Sequence, residues 1–249
     1  MRALAPQHDI EEYPAPDREP VAEISLRGVT ALELISVMAS VIITIWGIIP
    51  LQPRQRWLLA MPALLAIALM INSQRVRGES AREIGLGFDY FSRALWLVMG
   101  PTLIACLVFA AIGYFTGSFH RTSHFWLNAL ATPLWALVQQ YVLQGFIYRR
   151  VRFLLVNDSQ SSAERKRRLK LAILATAAIF SCAHAPNPML MTLTFTGGVI
   201  WSWVYQRAPN LLALAMSHAL ISLMLMTSLP PWLLPSMSVG YKHFLYQKF

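Results

Sequence analysis

LKLAILATAAIFSCAHAPNPMLMTLTFTGGVIWSWVYQRAPNLLALAMSHALISLMLMTSL, residues 169–229, is an almost unbroken apolar stretch cut twice by proline-bearing turns. An apolar helix needs about 20 residues to cross the hydrocarbon core of a bilayer. Three runs here approach that length: Leu169–His184, Met189–Tyr205 and Leu211–Leu229. Outward from this stretch the same pattern recurs at Phe125–Tyr148, Leu95–Thr116, Trp57–Asn72 and Val29–Leu51. Pro62, Pro101 and Pro133 fall inside spans, which membrane helices with packing partners tolerate. The expected fold is therefore an all-α polytopic membrane protein with about seven transmembrane helices.

Composition agrees. Of 249 residues, 56% are hydrophobic and 13% charged, with a mean hydropathy of +0.47; soluble domains average about 25% charged residues. Cys106 and Cys182 lie in apolar runs and form neither a disulfide framework nor a CxxC pair. The net charge of +9 sits between apolar runs, a placement that suits anionic lipid head groups and not nucleic acid. The bilayer is thus the first expected partner.

The stretch Met1–Arg27 carries Asp9, Glu11, Glu12, Asp17, Glu19 and Glu23 among prolines and has no apolar period. It reads as a disordered tail and lacks the order of a signal peptide. Residues 28–124 are expected to hold the first helices with an interfacial segment, 125–229 the core, and 230–249 a C-terminal tail. The loop after the fourth span carries Arg149, Arg150, Arg152, Arg165, Lys166, Arg167, Arg168 and Lys170. Such a cluster stays on the cytoplasmic side. Alternation puts Arg75, Arg77, Arg82, Arg93, Arg207 and the N-terminus there too, with only Arg54 and Arg56 as a mild objection.

Polar groups within spans mark a site or a helix contact. Gln139, Gln140 and Gln144 occur in QQYVLQ, Phe180 and His184 in FSCAH, and His218 in SHALIS. Gln140 and Gln144, four apart, are expected on one helix face, with Gln139 about 100° away. A single glutamine in a membrane helix is commonly interhelical glue. An imidazole titrates near neutrality and can donate or accept.

In order, these strings resemble the CPBP family of intramembrane proteases, which includes the type II CAAX prenyl endopeptidases and the Abi proteins. That family carries EExxxR, then FxxxH, then HxxxN or HxxxD; QQYVLQ, FSCAH and HALIS stand in those places. The PNP containing Asn187, the Gly197-Gly198 pair and the upstream AREIGL resemble bacterial members, which implies a multi-pass protein of the bacterial inner membrane. The resemblance covers about Phe125–Leu229. It implies His184, His218, Gln139 and Gln140 as catalytic positions, with Gln144, Phe180, Asn187 and Ser222 in support.

The departures carry chemistry. Where the family has a glutamate base, Gln139 can orient a water but cannot take its proton. His184 is then the available base, and His218 the oxyanion donor. Two amides and two imidazoles serve a divalent cation poorly, so no metal or other cofactor is expected. Three readings stay open: an intramembrane endopeptidase acting on a membrane-associated peptide or protein, an inactive pseudoprotease serving as a binding, immunity or scaffold factor, and a small transporter.

Overall fold

The computed structural model describes residues 20–51, 55, 57–120, 125–157 and 160–246, and among these it is all-helical. Helix α1 (Pro20–Ile42) runs on into a π-helical segment, Ile43–Ile48. Then come α2 (Trp57–Val76), α3 (Phe91–Thr116), α4 (Phe125–Gln140) with a second π-helical segment at Tyr141–Tyr148, α5 (Arg149–Leu155), α6 (Ser162–Cys182), α7 (Pro188–Arg207), α8 (Leu211–Ser228) and α9 (Tyr241–Tyr246). Residues 20–27, expected to belong to a tail, are already helical; the rest of that stretch, with Arg54, Arg56 and Arg121, lies outside the described residues.

Among the described residues, three helices are long and apolar enough to cross a membrane: Ser25–Ile48, Phe91–Thr116 and Leu211–Ser228. A shorter apolar helix covers Ala60–Val76. The expected number of about seven is not reached on this criterion, for identifiable reasons. The first turns of α6 carry Glu164, Arg165, Lys166, Arg167, Arg168 and Lys170. Helix α7 is diluted by Thr192, Thr194, Thr196 and two glycines, and α4 as an α-helix spans only 16 residues. Large apolar side chains nevertheless face outward; Leu107 is 69% and Leu130 75% exposed. Patches of that kind on a soluble protein would mark a binding surface or an aggregation hazard. With the apolar helices, they mark this as a membrane protein.

Helix α8 lies between α3 and α4, and α6 packs along α7. The last pair approaches closely because Gly198 has no side chain: a Cβ there would lie 2.9 Å from the Ala177 Cα. Small residues allow such contacts between membrane helices. The starts of α6, α7 and α8 are capped by side chains. Ser161, Asn187 and Asn210 accept from the backbone N–H groups of Glu164, Leu190 and Ala213, which satisfies donors that a helix start leaves unpaired.

The AREIGL segment packs onto the α7–α8 turn. Tyr205 donates to the Ile84 carbonyl (2.8 Å), the Leu211 N–H to the Gly85 carbonyl (2.8 Å), and Asn210 to the carbonyls of Gly87 and Asp89. Gly85 adopts φ 87°, and a Cβ would meet the Pro209 carbonyl oxygen at 2.9 Å. Only glycine fits there without strain.

Candidate active site

The π-helical segment decides where the glutamines go. π-Helical turns interrupt the i→i+4 ladder and recur at functional sites. This one is held to α2 by Gln74, whose amide donates to the Gly145 carbonyl (3.0 Å) and accepts from the Tyr141 hydroxyl (2.7 Å). Gln140, at its start, and Gln144, within it, are both fully buried. They address different helices. The Gln140 Nε2 lies 3.3 Å from His218 Nδ1 on α8, while the Gln144 Nε2 donates to the Ser202 hydroxyl on α7 (3.1 Å). The oxygens Gln140 Oε1 and Gln144 Oε1 have no hydrogen-bond partner among the described residues.

His184 does not lie in the fifth span as expected. Helix α6 ends at Cys182, and His184 sits in the turn that precedes α7. Its Nδ1 is 2.8 Å from the Phe180 carbonyl. A carbonyl only accepts, so Nδ1 carries the proton and Nε2 holds the lone pair. His218 has the opposite arrangement. An amide nitrogen only donates, so Nδ1 accepts from Gln140 and Nε2 carries the proton. Of the six histidines in the sequence, these two make contacts that suit complementary tautomers.

Rings hold both in place. Phe180 makes edge contacts with His184 (4.7 Å between centroids) and with His218 (6.1 Å). Trp201 stacks on His218 at 4.5 Å, and its indole N–H donates to the Ser217 hydroxyl, itself 2.7 Å from the Thr102 hydroxyl. Sequence reading missed Trp201, Ser217 and Thr102. One signal was legible: Gly197, one turn before Trp201, makes room for the indole, since a Cβ there would lie 2.9 Å from the ring.

His184, His218, Gln139 and Ser222 line one cavity of about 280 Å³, with Trp135, Trp201, Leu193, Leu225 and other apolar residues. Gln140 and Gln144 lie behind it and not on its wall. Asn187 is set apart by its bonds: it caps α7 and donates to the Ser236 carbonyl (2.9 Å). The segment expected to be a C-terminal tail reaches the site as well. The Gly240 N–H donates to the Ala185 carbonyl (2.7 Å), and Met237 and Val239 line the cavity.

Residues 121–224 match the model of a family described as Rce1-like, type II CAAX prenyl endopeptidases. Over those residues the chain is similar to that family. The matched stretch contains both glutamines of the pair, both histidines and the cavity-lining Trp201. No curated protein and no solved structure that was compared with the chain matches it.

Proposed function

We propose that the chain is a CAAX-protease-type intramembrane endopeptidase in which two histidines perform the chemistry that a glutamate base would otherwise share. The observation that carries this reading is the pair of complementary imidazoles on one cavity. His184 Nε2, holding the lone pair, takes a proton from a water as its oxygen attacks the scissile carbonyl carbon. The developing oxyanion accepts from His218 Nε2–H. Collapse of the tetrahedral intermediate breaks the C–N bond, and the His184 imidazolium gives its proton to the leaving amine. One water is consumed, and a carboxylic acid and an amine are formed; the acid's proton then passes to the amine or to solvent, leaving a carboxylate. Gln139, on the cavity wall, orients the water or the peptide; Gln140 keeps His218 in the donating tautomer. The apolar walls suit a membrane-associated peptide or protein substrate.

The chain is read here as a multi-pass protein of the bacterial inner membrane, with its N-terminus cytoplasmic. The shorter helices α2, α4 with its π-helical extension, α6 and α7 complete about seven passages, because thinning of the bilayer and tilt accommodate mismatch in span length. No metal takes part in this reading. Both amides are neutral, and His218 Nδ1 is occupied by Gln140, so the donor set suits a divalent cation poorly.

A second reading is favoured by one specific observation: Gln139 and Gln140 remove both candidate carboxylates, which a pseudoprotease binding a membrane segment would not need. The test is cleavage of a membrane-anchored peptide by the purified chain in lipid vesicles. The endopeptidase reading expects turnover that His184→Ala abolishes. No turnover by the wild-type chain, together with turnover created by Gln139→Glu, would establish the pseudoprotease instead.

A further inference from the structure

A second cavity, of about 350 Å³, opens where α2 ends and α5 and α6 come together, away from the histidines. Arg77, Arg149, Arg150, Arg152 and Arg165 line it, with Glu79. Part of this charge is matched internally. Arg150, only 2% exposed, grips Glu79 with two bonds (2.8 and 3.0 Å) and the Ser73 hydroxyl with a third (3.1 Å). Arg149 shares Glu79 (2.9 Å), and Arg77 is paired with Glu33 (2.8 Å). With Arg165 set aside, four guanidinium groups still face two carboxylates among the described residues. Arg152 makes no ion pair among the described residues, although Glu79 and Glu33 are close by for its neighbours.

We propose that this cavity binds a phosphate group, and specifically the head group of an anionic phospholipid. Three features support it. Part of the positive charge is fixed in position, since Arg150 and Arg149 share the single carboxylate of Glu79. Guanidinium forks match phosphate oxygens in geometry. The remaining wall is apolar: Phe153, against which the Arg77 guanidinium stacks at 5.7 Å, and Val156. A free anion has no use for that wall, whereas the glycerol and upper acyl region of a lipid would cover it. Juxtamembrane basic residues are attracted to anionic lipid surfaces by about 1 kcal/mol each. The site is independent of the catalytic reading and stands even if the chain is inactive.

The experiment is a thermal-unfolding titration of the full chain in neutral detergent, with dioctanoyl phosphatidylglycerol, dioctanoyl phosphatidylcholine and inorganic phosphate as separate probes. Phosphatidylglycerol is expected to raise the midpoint in a saturable way that salt weakens, and phosphatidylcholine to have little effect. Arg152→Ala, which removes no ion pair, is expected to weaken the phosphatidylglycerol response about fivefold, the equivalent of one surface arginine, while keeping the lipid-free midpoint. Saturable stabilisation by inorganic phosphate at equal concentration would keep the phosphate site but overturn the lipid as its source. Equal responses to the two lipids, or an unchanged response in Arg152→Ala, would overturn the site itself.

Discussion

At Gln140 an amide does work that a carboxylate could not do in the same way. Because its nitrogen can only donate, the bond to His218 Nδ1 fixes the proton on Nε2. Gln140→Leu conserves size and removes that donor. It is expected to lower kcat at least about tenfold, a fraction of the roughly 10²–10³ lost when an oxyanion donor is removed outright, with KM little changed; steady-state kinetics on a membrane-anchored peptide would show it. Glu79 makes a second case. Burial alone would raise its carboxyl pKa, but its bonds and charge contacts with Arg150 and Arg149 outweigh this and hold it below the ordinary value of 4.5. A carboxylate with a lowered folded pKa stabilises the protein above the unfolded value, and that stability is lost as pH falls through the folded value. Thermal stability in detergent should therefore fall on acidification below about pH 4, and Glu79→Gln should lower the neutral-pH midpoint while flattening that acid limb. The candidate residues themselves were legible, because intramembrane glutamine and histidine are conspicuous. Their partners were not: nothing in QQYVLQ says that Gln140 meets α8 while Gln144 meets α7.

Element boundaries moved where local chemistry overrode hydropathy. The run Leu169–His184 reads as one span, yet α6 starts earlier, capped by Ser161, and stops at Cys182. That puts His184 in a turn, where its Nδ1 can reach the Phe180 carbonyl instead of being confined to a helix face. The widening at Tyr141–Tyr148 had no sequence signal either, since a π-helical stretch depends on what packs beside it, here Gln74. The close contact between α6 and α7, by contrast, has a visible sequence correlate in Gly198. Gly198→Val should push α7 off Ala177 and disturb the Phe180–Trp201 wall of the cavity. Overpacking of this kind typically costs about 1–3 kcal/mol. A lowered unfolding midpoint with reduced activity is expected, whereas Gly100→Val, at an open position, should change neither by much.

The whole molecule was legible as a class: apolar, helical, basic, with polar residues inside. The number of crossings was less so: three described helices are long and apolar enough, while α6 and α7, read from the sequence as spans, are diluted by charge or threonine. The arginine-rich segment around α5 predicts the topology by the positive-inside rule. In a cysteine-free background with single cysteines introduced, residue Gln160 should be labelled only from the cytoplasmic side and Ser236 only from the opposite side; the reverse pattern would invert the molecule. The central claim, that His184 is the base on a cavity completed by His218, has its most direct test in the kinetics of His184→Ala. Peptide binding should persist near the wild-type Kd while turnover falls by a factor of about 10² or more. Turnover that survives at the wild-type rate would contradict it.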